Sequence, residues 1–322
     1  MNFSFAALWF IVKGEFMSTL NTVRPRAHTV LTRARRESRR AYFIIIPILG
    51  YLMVWNLIPL IYGVFLGFTS YNGLGGAPKW VGLKNFITVF TTSGDMTLLW
   101  RQIWLGFVAL LFNLVFSFIL ALALNVNSKI KGLFRTAIYI PNIAAVTATT
   151  AVFVALLNPL SSQGLNKIIT SLGGTAIAWN YSSSWMVFWI ILYFVWRNCG
   201  PSAIIWLGGL QGIDPSLYEA AKVDGANFFD RIRYITIPGL KFVSMYLLLT
   251  GIIGAMQMFD VVMFISNGGP YQKTDVLMYK IYRNGIVNFN LGMAGAESLV
   301  LGIATIIFAF IYLYFQQKSE DE

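Results

Sequence analysis

Six apolar runs, each long enough to cross a bilayer, decide what this chain can become: roughly 41–68, 98–126, 137–157, 185–209, 240–266 and 291–315. A hydrocarbon core needs about 20 such residues wound as a helix. None of the runs alternates in the manner of a transmembrane barrel strand. Backbone groups in lipid must also be satisfied within their own segment. The expected fold class is therefore all-α, a polytopic membrane protein with six transmembrane helices. Charge agrees, since only 11% of the residues carry one, against about a quarter in soluble domains.

Lys and Arg gather on the cytoplasmic side of membranes. With the N-terminus inside, that side receives Lys13, seven Arg between Arg24 and Arg40, Lys129, Lys131, Arg135, Lys222, Arg231, Arg233, Lys241 and Lys318, which is most of the 24 basic residues. The expected organisation is a basic cytoplasmic tail over 1–40, a six-helix membrane domain over 41–315 with a charged cytoplasmic segment at 214–238, and a cytoplasmic C-terminal tail over 316–322. Both termini face the cytoplasm.

The net charge of +11 sits mostly in the first tail. Topology and anionic membrane lipid account for it, so no nucleic-acid partner is expected. "FAALWFIVKG" is too short to span and lacks a small-residue cleavage site, so it is not read as a signal peptide, and Met17 is an alternative start. One cysteine, Cys199, and one histidine, His28, leave metal chemistry almost without ligands.

The segment "YEAAKVDGANFFDRIRYITIP" holds charge where the chain otherwise has little. Asp214 and Pro215 supply an N-cap and a first-turn proline. "SLYEAAKV" continues as a helix, Gly225 ends it in a left-handed turn, and "NFFDRIRYIT" forms a second short helix that Pro238 closes. Phe228, Phe229, Ile232 and Ile235 fall at helical spacing and are expected to bury, with Asp230, Arg231 and Arg233 in water. An ordinary amphipathic loop is the plainer reading of the same residues.

The pattern resembles the EAA signature of bacterial ABC importer permeases, with Glu219, Ala220, Ala221, Gly225, Ile235, Ile237 and Pro238 in register and Ile237 where Leu is usual. "IDPSLYEAA" and the "DGA" of Asp224 to Ala226 are similar to the carbohydrate-uptake group of that family, the maltose and polysaccharide types. "VGLKNF", "NPLSSQGLN" and "GGPYQKTDVLMYKIY" extend the likeness over most of the chain after residue 41. The resemblance implies the type I importer fold and a place in the bacterial inner membrane. It also implies three protein partners: a second homologous permease, a cytoplasmic ATPase dimer and an extracytoplasmic solute-binding protein. Glu219 would contact the ATPase through a charge-assisted bond, Gly225 would hold the angle between the two short helices, and Ala220 and Ala221 would allow close approach. The chain has no GxxxxGK[ST] phosphate loop, so no cofactor is expected here, and ATP with Mg would be bound by the partner ATPase.

A charge inside a membrane span is costly and functional by default. Arg197 lies midway along the fourth run. It reads either as a contact for anionic cargo or as a buried partner for Asp260 or for carbonyls freed by Pro201. Tyr193 and Trp196 offer rings for a sugar face, and Gln257 and Asp260, one turn apart on the fifth run, offer hydrogen bonds to hydroxyls. Gly251 and Gly254 are read as helix-packing positions, and Asn113 and Asn142 as interhelical bonds or substrate contacts.

An ion-driven secondary transporter would need buried acidic sites, and Asp260 is the one reasonable intramembrane carboxylate. No paired carboxylates or activated nucleophile point to a membrane enzyme. The resemblance implies import of an oligosaccharide, with an acidic one such as alginate among the candidates. The same importer class carrying a non-sugar solute such as glycerol phosphate is the alternative.

Overall fold

The computed structural model describes residues 42–43, 45–91, 94–125 and 131–321. The expected tail over 1–40 and Lys129 lie outside them. The chain divides into two units, one ending at Gly63 and the other beginning at Val64. Helix α1, Ile45–Gly67, carries most of the first unit's described residues, and its side chains up to Tyr62 are exposed. An apolar helix with no core of its own is suited to lipid or to another apolar surface.

The second unit opens with a two-stranded antiparallel ladder, β1 Thr69–Ser70 and β2 Lys79–Trp80, in which Thr69 pairs with Trp80 and Ser70 with Lys79. The loop after α1 is anchored: Asn85, on α2 (Lys84–Thr91), donates to the carbonyls of Gly67 and Thr69 at 3.0 and 2.9 Å. The long helices follow as α3 Asp95–Leu124 and α7 Ser183–Gln211, with α13 Leu291–Asp321 last. Helix α13 runs through residues 316–321, so the expected C-terminal tail continues the last span as helix. Leu105, Ile190, Val261, Val262 and Val276 form the largest buried cluster.

Two of the expected spans are broken. The third run folds as α4 Lys131–Ile143 and α5 Val146–Leu156, bent by 91°. Pro141 stands inside α4 without a backbone donor, and Ala145 adopts an extended conformation with ψ 133°. Hydropathy saw one continuous run because the break is made of Ile, Ala and Val, as apolar as a helix. Between α5 and α7 lies α6, Gly164–Ser171. Beside it the "NPLSSQGLN" loop is gathered by the fully buried Asn166, which donates to the carbonyls of Asn158, Pro159 and Ile177.

The fifth run is also shorter than expected. Helix α10 covers Lys241–Met256 and is bent by 69° from the preceding Phe228–Gly239. It ends at Gln257, and a separate helical turn, α11 Val262–Ser266, follows. The chain then turns at Gly268 and continues as α12, Leu277–Tyr282. Four described helices are each long and apolar enough to cross a membrane, and the two bent pairs make six if each pair is one span.

Both helix breaks expose carbonyls that need donors. Gln102 on α3, fully buried, serves the end of α10: its amide donates to Ala255 and Met258 carbonyls at 3.1 Å each, and its oxygen accepts from the Met278 N–H at 3.2 Å. Arg197 on α7 serves the end of α4. Its guanidinium donates to the carbonyls of Pro141, Asn142 and Ala144 at 3.2, 3.3 and 3.1 Å. Gly200, one turn further along α7, makes this reach feasible, since a Cβ there would stand 1.9 Å from the Ile138 carbonyl oxygen.

Candidate transport pathway and coupling surface

A cavity of about 360 Å³ lies between α3, α7 and α10. Its polar wall includes Asn113, Arg197, Asn198, Ser202, Gln257 and Asp260. Of the five expected pathway residues it gathers Tyr193, Arg197, Gln257 and Asp260 and leaves out Trp196. That ring faces a separate apolar groove between α3, α4 and α7, with Phe116, Pro141 and Cys199.

Tyr193 touches the cavity but is only 1% exposed, and its hydroxyl is shared with Thr149 at 2.8 Å. Its ring packs edge-on to Phe153 at 5.1 Å, so it is a core ring with no open face for a sugar. Gln257 and Asp260 do not form consecutive turns of one helix: α10 ends between them. Asp260 folds back to accept from the Val261 N–H at 2.8 Å.

Arg197 has neither of its two anticipated structural partners. Its bonds go to the carbonyls at the α4 break, where the negative end of that helix's dipole adds to the attraction. Gly251 packs as expected, because a Cβ there would lie 2.3 Å from a Leu110 methyl, whereas Gly254 has nothing within 4 Å and opens onto the cavity. Asn113 does bridge helices, donating to Ser202 Oγ at 3.0 Å.

Near the N-terminal ends of α3 and α13 the structure adds charges that hydropathy could not place. Asp95 and Glu297 are both fully buried, so Asp260 is not the sole carboxylate in the spans. Lys280 of α12 pairs with Asp95 and stands 3.8 Å from Glu297, and Asn284 donates to both oxygens of Glu297 at 2.7 and 3.0 Å. Arg283 pairs with Asp275, whose backbone carbonyl accepts from Arg101 at 3.0 Å. The set ties three elements together and leaves neither buried acid unpaired, as buried charges require. The sequence signal was Lys280 and Arg283 three residues apart, with no pattern naming their partners.

On the other side, the charged segment folds as the sequence predicts. Helix α8, Pro215–Val223, starts at Asp214, whose carboxylate accepts from the Ser216 N–H at 2.9 Å. That bond holds the Asp214 carboxyl below the usual carboxylate range. At the far end Gly225 has φ 81°. Ala226 N–H reaches the Ala221 carbonyl at 2.8 Å, and Gly225 N–H reaches Lys222 at 3.1 Å, the paired bonds of a Schellman stop. Asn227 then starts α9, Phe228–Gly239, through a reciprocal capping box with Asp230. A bond of 3.0 Å between Tyr218 and Thr236 hydroxyls fixes one arm to the other.

One expectation fails here. Phe228 and Phe229 are 55% and 77% exposed, and Val223 is 88% exposed. Ile232 and Ile235 of the expected stripe are half-buried, so the stripe turns inward along its later part while Phe228 and Phe229 point away from the rest of the described chain. Glu219, Ala220 and Asp224 are exposed beside them, and Glu219 makes no ion pair among the described residues. Pro238 lies at the start of the turn that leads into α10.

The family model described as "Binding-protein-dependent transport system inner membrane component" matches residues 113–321. The probable ABC transporter permease protein YesP of Bacillus subtilis is 30% identical, over 89% of this chain and 95% of its own. The sn-glycerol-3-phosphate transport system permease protein UgpA of Yersinia pestis is 28% identical over 84% and 93%. The arabinooligosaccharides transport system permease protein AraP of Bacillus subtilis is 28% identical over 87% and 90%. Among solved structures, a bacterial ABC transporter involved in the import of the acidic polysaccharide alginate shares the fold, with a TM-score of 0.79 at 22% identity over 89% of this chain and 98% of that one.

Proposed function

Since this chain belongs to the family of inner membrane components of binding-protein-dependent transport systems and is an ABC importer permease, we propose that it forms, with a second permease, the path for an oligosaccharide. In this reading an extracytoplasmic solute-binding protein delivers the cargo. A separate cytoplasmic ATPase pair docks on the α8–α9 segment and, by closing with ATP and Mg, rocks the path from outward-facing to inward-facing. Both termini lie in the cytoplasm.

The observation that carries this is the α8–α9 surface. An apolar face left exposed on a rigid pair of helices marks an interaction site. The Schellman stop, the capping box and the Tyr218–Thr236 bond hold that face in one shape before any partner arrives. Glu219 stands at its edge as a charge ready for a cationic or N–H donor.

The polar cavity supports a hydroxylated cargo, and so do the names of the relatives. A phosphorylated polyol is the second reading, favoured by the glycerol-phosphate permeases among them. Affinity purification of the chain from its native membranes in mild detergent is expected to retain a second permease and an ATPase, identified by mass spectrometry. Cells carrying the complete system should then concentrate one of three labelled probes: an arabino-oligosaccharide, an alginate oligosaccharide or sn-glycerol 3-phosphate. A chain that purifies alone and moves solute on an ion gradient would sink the reading.

A further inference from the structure

The end of the bundle where α3 and α7 begin carries positive charge that its acids do not answer. The two helices run in the same direction, since Asn113 meets Ser202 and Ser117 meets Trp206, so both start at the end opposite the α8–α9 segment. Two cavities of about 540 and 350 Å³ open there, and Arg101, Trp104 and Lys273 line both. No acid lines either one. Arg101 uses one terminal nitrogen, Nη1, for the carbonyls of Gln272 and Asp275, which brings its guanidinium to the loop that bears Lys273. Its Nη2 and Nε make no hydrogen bond among the described residues, and neither does the amine of the exposed Lys273. The neighbouring carboxylates are already matched, Asp95 with Lys280, Asp275 with Arg283 and Glu297 with Asn284. Ser183 and Ser184 line the larger cavity from the first turn of α7, which has no side-chain cap, and they bring the positive end of that helix's dipole to it.

Helix α3 sets the depth of these groups. It has 30 residues, about 45 Å of helix against a hydrocarbon core of about 30 Å. Centred on that core, it leaves about five residues beyond it at each end, so Trp100 and Arg101 fall at the boundary with the headgroups. Tryptophan is enriched at that level. Deeper on the same face, Trp104, Phe107, Leu111 and Val115 recur every three or four residues, and all are exposed. Two cations with tryptophan at the headgroup level and an apolar stripe beneath them match an amphiphile: a phosphate suits the cavities, and an acyl chain suits the stripe. A sugar or polyol offers nothing to the stripe. An apolar helix would cover the stripe but leave both cations unanswered.

We propose that Arg101, Lys273 and the exposed face of α3 bind one anionic phospholipid in the leaflet away from the α8–α9 segment, its phosphate between the two cations and one acyl chain along Phe107, Leu111 and Val115. The proposal goes beyond the transport reading and rests only on the helices crossing a membrane.

The test is native mass spectrometry of the chain, purified in mild detergent with whatever companions it retains, during titration with phosphatidylglycerol or with phosphatidylcholine of the same acyl chains. The parent should bind the first phosphatidylglycerol at least about tenfold more tightly than phosphatidylcholine, and excess inorganic phosphate should not displace it. Lys273→Gln should weaken phosphatidylglycerol about fivefold, the worth of one basic residue at a lipid surface, and leave phosphatidylcholine unchanged. Lys273→Arg should stay within about twofold of the parent by the same measure. Lys273 is exposed, so the unfolding temperature of both variants in phosphatidylcholine should equal the parent's.

Equal affinity for the two lipids overturns the proposal, and so does unchanged phosphatidylglycerol binding in Lys273→Gln. Displacement by inorganic phosphate would make the cavities a site for a free anion. Phosphatidylglycerol that binds only after a second permease has been stripped away would make the α3 stripe a protein interface. Each of these leaves the transport reading standing, and a chain that purifies alone is titrated in the same way.

Discussion

Gly225→Pro should lower uptake by more than about tenfold while the chain still inserts in the membrane. Proline fixes φ near −65° and has no N–H. Gly225 has φ 81° and donates to Lys222. The substitution therefore forfeits the turn and one hydrogen bond, a cost of about 2 kcal/mol or more, and a tenfold change needs only about 1.4 kcal/mol. Helices α8 and α9 would lose their fixed angle, and the surface built from Val223, Phe228 and Phe229 would come apart. Glu219→Lys leaves this geometry alone, because Glu219 is exposed and makes no ion pair among the described residues. It reverses the charge offered to the ATPase, so the ATPase should be lost on purification although the helices stay intact. The two variants separate shape from charge. Normal uptake and normal ATPase retention in both would remove the docking role from this segment.

The second large effect is expected at Arg197. Replacing it with Leu leaves the carbonyls of Pro141, Asn142 and Ala144 without the donor that joins them. Hydrogen bonds from a charged donor contribute roughly 1.5–3 kcal/mol each and do not add fully, so a loss on the order of 3 kcal/mol is expected. That corresponds to an unfolding temperature lower by roughly 6–10 °C. Arg197→Lys should recover part of it, because an ammonium cannot span three acceptors as a guanidinium fork does. Uptake should fall equally for neutral and anionic probes. A loss confined to the anionic probes, with an unchanged unfolding temperature, would assign Arg197 to the cargo.

The sequence made some of this legible and hid the rest for identifiable reasons. Helix α8, its stop at Gly225 and the second helix were all readable, because caps and stops are local devices: Asp214, Pro215 and Gly225 act on neighbours within a few residues. The direction in which Phe228 and Phe229 point was not readable, since periodicity says that two residues share a face and is silent on what that face meets. The breaks at 143–146 and 256–259 escaped for a different reason. Hydropathy sums over side chains, and the break residues are apolar apart from Gln257, while the bend lies in backbone conformation. The partners of those breaks, Gln102 and Arg197, come from other helices, far along the chain. Tyr193 and Trp196 part company, Tyr193 at the cavity and Trp196 in a separate groove, because a 3.6-residue period places two side chains three apart on overlapping faces, and only packing decides what each of them meets.

The bend between α4 and α5 also sets an order of events during synthesis. Its carbonyls receive their donor from a residue made 56 positions later than Pro141. When this segment first leaves the ribosome and meets the membrane, no guanidinium is there to receive it. A right-angled turn with bare carbonyls is not tolerated in hydrocarbon. The nascent segment must therefore wait as a straighter helix, or outside the lipid, until α7 has been made and can be drawn alongside. The third span takes its final shape after the fourth, so insertion into the bilayer and folding within it are separate steps for this part of the chain.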